Sequence, residues 1–476
     1  MSDGAITGFK INNDLTSDFI IHELGLYANN TNDVDIISRA IKLRGELQAK
    51  QDLALKQGND YYDYTTGEVK SNTNAAPIVF GIDISHLSNI SAGSIKLIDT
   101  EKGAGVNTAD GDIITDLSNL EITADGDLVL KANLSSQTDI NLTSHHGNIT
   151  QSGDIKAVQN IDINANQTYQ NEGKDTIAQA NLAITANTVN NQGGQLAAGG
   201  NLNIAVDTLN NTRNDTQDTT KTQEKTQGGL IYAKNQLQIT AANHLLNDKS
   251  SIVAEGDIVI NDTNHGTNND LNLVIDNKSG VIKADNNITI HAKTLNNTAY
   301  HYDTKQDDSD GYYGYDVNEK VVKSDYVMDQ TLVLEQDEQV STLASNPAFI
   351  SALKDININL SDELFNSSSV ISAKQDLSIT ANKVTNETDS VTTHKMYRKW
   401  GKKWVRSWET CGWHNWSYGC TTHYADETKF WDDTRSELAY SKNKGTLSAA
   451  QNLTINANES ITNGETIQNN EFLGQV

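Results

Sequence analysis

Along this chain apolar and polar residues alternate in a short phrase that keeps returning. It reads NIDINAN at 160, NLAITAN at 181, NLNIAVD at 201, QLQITAA at 236, DIVINDT at 257, NITIHAK at 287, DININLS at 355, DLSITAN at 376 and NLTINAN at 452. Alternation with period two predicts a half-buried β-strand in each copy. The central positions are Ile163, Ile184, Ile204, Ile239, Ile260, Ile290, Ile358, Ile379 and Ile455, with steps of 21, 20, 35, 21, 30, 68, 21 and 76. The base step is therefore about 20 residues, lengthened at four places, and a fixed period of that size means a solenoid.

Helical repeats would need a 3.6-residue period, which the phrase lacks, and the leucine spacing of leucine-rich repeats is absent. The pattern predicts an all-β fold, a right-handed parallel β-helix whose successive coils pair at about 4.8 Å. Without the insertions the length allows roughly 17 coils, a stalk on the order of 80 Å. Between strands lie stretches such as NNQGG and LNNT, where Asn and Gly accept turn conformations and repeated Asn is placed to stack in ladders.

Composition changes the picture in two ways. With 36% hydrophobic and 6% aromatic residues, a chain of scattered apolar positions would be read as disordered; the repeat is what makes it a folded stalk. A net charge of -26 argues against a whole-chain role on nucleic acid, which needs clustered Lys and Arg. No stretch approaches the roughly 20 apolar residues of a membrane helix, and no basic-then-apolar leader follows Met1. With its strong repeats, the chain is expected to be a piece of a longer exported protein.

Two segments carry a family resemblance. TNDVDIISRAIKLRGELQAKQDLALKQG from Thr31 and FGIDISHLSNISAGSIKLIDTEKGAGVN, Phe80 to Asn107, resemble the later part of the secretion domain of two-partner-secretion exoproteins. The repeats after about residue 136 resemble filamentous-haemagglutinin repeats, and the combination is similar to the stalk and receptor-binding region of contact-dependent growth-inhibition exoproteins. The resemblance implies export through an outer-membrane β-barrel transporter and display on a Gram-negative cell surface. It divides the chain into a secretion-domain part (1–135), repeats (136–298), a Tyr/Asp-rich insertion (299–354), coils (355–390), a Trp/Cys-rich basic insertion (391–445) and final coils (446–476).

On a rigid solenoid, function is expected on the insertions. Residues 213–227 are polar and read as a solvated loop, and 263–273 as an extension of one coil. The third insertion holds YHYDTKQDDSDGYYGYD, where Tyr312, Tyr313 and Tyr315 suit recognition because Tyr offers rigid contact area at low entropic cost. As a calcium loop its Asp308–Gly311 fails, lacking the first and last ligands. Its end, NPAFISALKD, predicts a short helix capped by Asn346 with Pro347 at its first position.

The fourth insertion, KMYRKWGKKWVRSWETCGWHNWSYGC, holds five of the six tryptophans, both cysteines and six Lys/Arg between Lys395 and Arg406. The spacing of Trp400, Trp404 and Trp408 allows one helical stripe; glycines at 401, 412 and 419 favour a hairpin, on which Lys402 shares a face with Trp404 and Lys403 with Val405. Two readings stand side by side: a mini-core that fastens the insertion, or a binding surface of Trp400, Lys402, Lys403, Trp404, Arg406, Trp408, Trp413, Trp416 and Tyr418, the composition of interface hot spots and of sugar or anionic-lipid sites. Cys411 and Cys420, nine apart, are expected to form a disulfide in an exported protein; a zinc set of Cys411, His414, Cys420 and His423, or free thiols, stays open. By register, the third and fourth insertions are expected to emerge close together.

A β-helix polysaccharide-degrading enzyme is the rival class. It needs paired carboxylates, but Asp257, Asp355 and Asp376 begin strands and read as turn chemistry, while His145-His146 lacks a metalloprotease context. The reading is a non-enzymatic adhesin, without cofactor, that binds a receptor on a neighbouring cell: an outer-membrane protein, lipopolysaccharide or a glycan. A host-cell haemagglutinin is the alternative.

Overall fold

The computed structural model describes residues 7–11, 18–71, 78–84, 89–213, 228–264, 271–299, 313–316, 322–323, 326–334, 347–388, 390–414, 417–440, 444–464 and 472–475. For 313–316, 322–323, 326–334, 390–407, 414, 417, 424–440 and 472–475 the backbone alone is described. The chain forms two compact units. One comprises residues 1–299, 347–387 and 444–476; the other comprises 300–346 and 388–443.

The first unit is a parallel β-helical solenoid. Each coil gives one short strand to a 14-stranded sheet, as in Gln195–Ala198, and longer or paired strands to a 24-stranded sheet, as in Leu202–Thr212. The isoleucine register read from sequence is the observed pairing: Ile163 pairs with Ile184, then Ile204, Ile239, Ile260, Ile290, Ile358, Ile379 and Ile455. The same column runs back through Leu142, Ile122, Leu97 and Leu55 to Ile36, so the coils continue without a break through the secretion-domain segments. Inward side chains from every coil merge into one apolar core, which is why alternation rather than total hydrophobicity suffices to fold the chain.

Among the described residues the shorter sheet has 14 strands, and Phe472–Gln475 adds a further rung to the longer sheet beyond Leu453–Asn463, where roughly 17 coils are expected for the whole chain. Part of the early chain is diverted: Gly8–Lys10, Tyr61–Asp63 and Glu68–Lys70 form a separate antiparallel sheet. The helix expected at 346–354 is not formed. Phe349–Ala352 is a strand of the 14-stranded sheet, paired with Val281–Ala284 and Val370–Ala373. Burial of Ile350 and Ala352 on the coil's inner face overrides the Pro347 helix-start signal; Asn346 lies outside the described residues.

Polar ladders tie the coils together. Asn171, Asn191, Asn211, Asn247, Asn277, Asn297, Asn366, Asn386 and Asn463 occupy one column, and from Asn171 to Asn386 each Nδ2 donates to the Oδ1 of the next at 2.7–3.1 Å. Several of these amides also donate to the carbonyl of their own turn, as Asn191 to Gly194 at 2.9 Å and Asn366 to Ser369 at 2.9 Å. Gln151 takes the preceding place, hydrogen-bonded to Tyr169 and Thr176. Asp257, Asp355 and Asp376 behave as turn residues, each accepting the backbone N–H of the next coil's Asn287, Asp376 or Asn452. The buried Asp262 carboxylate closes the second insertion by accepting the N–H groups of Asn264, Asn272 and Leu273.

Candidate functional site

The second unit is one antiparallel sheet built from both large insertions. Its spine is a hairpin of Ser390–His414 and Ser417–Tyr440, paired from Ser390↔Tyr440 to His414↔Ser417. Tyr326–Leu334 of the third insertion adds to it, placing Val327 opposite Lys402 and Leu332 opposite Arg398. Tyr313–Asp316 then pairs with that strand, Tyr315 opposite Leu332. Two segments separated by the coils of residues 347–387 are thus joined by backbone hydrogen bonds. The strands carry the β-branched and aromatic residues that favour extended pairing.

Among the predicted site residues, Trp400, Lys402, Lys403, Trp404, Arg406, Trp408 and Trp413 lie on the first hairpin strand and Tyr418 on the second. Tyr313 and Tyr315 lie on the strand from the third insertion. Tyr312 and Trp416 lie outside the described residues, as do the expected loops of 214–227 and 265–270 and the rejected calcium motif at 308–311. The helical stripe does not occur. Val405 is skipped in the register, since Trp404 pairs with Asp426 and Arg406 with Ala425. That bulge shifts the alternation by one, so positions 400 and 404 belong to one face of the ribbon and 408 to the other.

The basic strand has an acidic partner, which composition alone does not reveal. Arg398 is in register with Asp432 and Lys403 with Glu427, while Lys395 faces Arg435. The two opposite-charge pairs favour this pairing and the like-charge pair opposes it.

At 408–413 and 418–423 the side chains are defined. Cys411 and Cys420, directly opposed, form a disulfide. Both sulfurs are thereby used, so the zinc set loses its two thiolates; His423 instead accepts a role against Trp408, stacked at 5.3 Å between ring centroids and 18° between planes, with Thr410 Oγ1 2.6 Å from its Nε2. On the disulfide's face, Trp413 and Tyr418 meet edge to face at 5.8 Å. Trp408, Trp413 and Tyr418 are 44%, 74% and 61% exposed, so at this end the aromatic residues present area to solvent and do not form a closed mini-core. On the opposite face Gly412 and Gly419 are paired, with open space where a Cβ would stand. The contributions of Thr410 and of the 326–334 strand were missed in the sequence; only long-range pairing reveals them.

The TPS secretion domain model matches residues 1–130, and the haemagglutinin repeat model matches 160–247, 222–273, 261–310, 331–396 and 433–474, more than half of the chain. The chain is 34% identical over 135 residues to the tRNA nuclease CdiA-2 of Burkholderia pseudomallei, covering 27% of this chain and 4% of that protein. It is 30% identical over 152 residues to the toxin CdiA of Yersinia pestis, covering 31% and 4%. With the 16S rRNA endonuclease CdiA of Enterobacter cloacae it shares 28% identity over 167 residues, covering 35% and 5%. The alignments thus span 4–5% of the length of these curated relatives. No solved structure matches significantly.

Proposed function

The chain belongs to the haemagglutinin-repeat exoproteins of two-partner secretion, of the contact-dependent growth-inhibition type, and on that premise we propose that it is a non-enzymatic adhesin region whose inserted sheet binds a receptor on a target cell. Such exoproteins are secreted and displayed on the Gram-negative cell surface, and this chain with them. Its secretion domain implies an outer-membrane transporter as export partner. The two matched models describe secretion and repeats, which supports reading these residues as delivery machinery and not as the nuclease named for the relatives.

The observation that carries the reading is the joint sheet. The solenoid keeps its register across both insertions, Ile290 to Ile358 and Ile379 to Ile455, so the coils pair directly with one another on either side of the inserted residues. Yet the insertions pair with one another and hold exposed aromatic residues under a disulfide, a preorganised surface of hot-spot composition. Removing 300–346 and 388–443 together is expected to abolish binding to target cells while the β-helix keeps its circular dichroism. Undiminished cell binding by that deletion would overturn the proposal.

A further inference from the structure

The hairpin carries two glycines where a strand ordinarily has side chains to pack. Gly412 and Gly419 lie in extended strands directly opposite one another, so turn geometry does not account for them. Glycine inside a strand weakens it, and marks a place where a ligand or another backbone comes close. No described protein atom does so here: a Cβ built on either glycine has nothing within 4 Å. The gap is the floor of an open cleft of about 510 Å³, within the size range of small-ligand sites.

Alternation decides which side chains border that floor. Thr410 and Thr421, opposed in register, stand one step along the same face, and His423 stands one step further. Thr410 Oγ1 and His423 Nε2 share a hydrogen bond of 2.6 Å, and Trp408 stacks on the imidazole at 5.3 Å, so the rim is braced by its own contacts. Glu409 belongs to the other face with the disulfide, where its carboxylate accepts from Thr422 Oγ1 at 3.3 Å. The described lining of the cleft thus offers hydroxyls, an imidazole and bare backbone, without a carboxylate, an amine or a guanidinium.

A ligand that fits has a flat face to lie on the glycine floor and hydroxyl groups at its edge to exchange hydrogen bonds with the rim. Those are the two aspects of a pyranose ring. We propose that this cleft is a carbohydrate-binding site, taking one uncharged pyranose with its C–H face over Gly412 and Gly419 and its hydroxyls at Thr410, Thr421 and His423. The inference rests on the reading of the inserted sheet as the target-cell contact, and names a glycan as the class of ligand that this part of it takes. A charged sugar is disfavoured because no described lining group would neutralise it. An aromatic side chain of a protein receptor would cover the floor but leave the rim's hydrogen bonds unused.

The test is saturation-transfer NMR on the whole chain with the methyl glycosides of glucose, galactose, mannose and N-acetylglucosamine, followed by titration of whichever binds. At least one is expected to receive saturation at its ring C–H protons. Gly412→Ala/Gly419→Ala puts methyl groups on the floor without a clash inside the protein, and is expected to weaken that sugar at least about tenfold with thermal stability unchanged. Thr421→Val keeps the shape and removes one hydroxyl, for an expected loss of about two- to tenfold. No transfer to any of these glycosides, or undiminished binding by the double-alanine variant, would each overturn the inference. If the sugars fail while cell binding still requires the inserted sheet, this inference alone falls; if deletion of the sheet leaves cell binding intact, the functional reading falls whatever the sugars do.

Discussion

Asn297 donates from Nδ2 to Asn366 Oδ1 at 2.7 Å, across 69 residues of sequence. The third insertion leaves the chain between them, yet the two amides stack as closely as Asn277 and Asn297, which are 20 apart at 2.8 Å. The ladder reads neighbouring coils and is blind to what is inserted between them.

Replacing a middle rung is therefore expected to be costly. Asn366 accepts from Asn297 and donates to Asn386 and Ser369, all in the interior. Asn366→Ala leaves buried partners unpaired, each at about 1–3 kcal/mol, and should lower the thermal midpoint of the β-helix followed by circular dichroism. Asn366→Asp, which loses the donor altogether and adds charge, should lower it further.

Two glycines should respond oppositely to the same change. A Cβ on Gly194 would meet the side chain of Asn171, itself a rung of the ladder, so Gly194→Ala is expected to destabilise by about 1–3 kcal/mol. A Cβ on Gly412 meets nothing within 4 Å, so Gly412→Ala should leave thermal stability unchanged.

Reduction should act locally. The Cys411–Cys420 bond closes a separation of nine residues, a loop for which crosslinking contributes about 2–3 kcal/mol. Dithiothreitol, or a double Cys→Ser variant, is expected to raise amide hydrogen exchange at 408–423 while exchange in the coils stays the same.

The secretion-domain coils carry a pH signature. Asp99 is buried, its carboxylate accepting N–H groups from Gly81 and Glu101 at 3.0 and 3.1 Å, and burial pushes its titration well above the ordinary range, with the Glu101 and Asp125 charges adding to the rise. Its folded form binds a proton more tightly than the unfolded chain. Its contribution to stability is thus fully present below the ordinary aspartate value of 3.8 and declines as pH rises through the raised folded value. Asp276 has the opposite sign: the hydrogen bond from His244, helped by Asn296 and Lys278, holds it below the usual range, so its contribution fades as pH falls. Denaturant unfolding at several pH values should show Asp99→Asn flattening the loss of stability with rising pH.

The sequence by itself determined the solenoid. A column of isoleucines at a step of about 20 residues survived four interruptions, because in a β-helix each inward position must match its neighbour one coil away, and that match is written locally in the alternation. Asn at equivalent turns was legible for the same reason, as was the hairpin, announced by Gly412 and Gly419 flanking the cysteines. Tertiary structure decided what depends on distant partners. Phe349–Ala352 became a strand since the coils on either side supplied its pairing, outweighing a local helix signal. Tyr326–Leu334 found the basic strand across an intervening stretch of coils, and Arg398 and Lys403 came into register with Asp432 and Glu427. No periodicity encodes those pairings. Backbone hydrogen bonding between separated strands selects them, and so only the fold assembles the surface on which the proposed function rests.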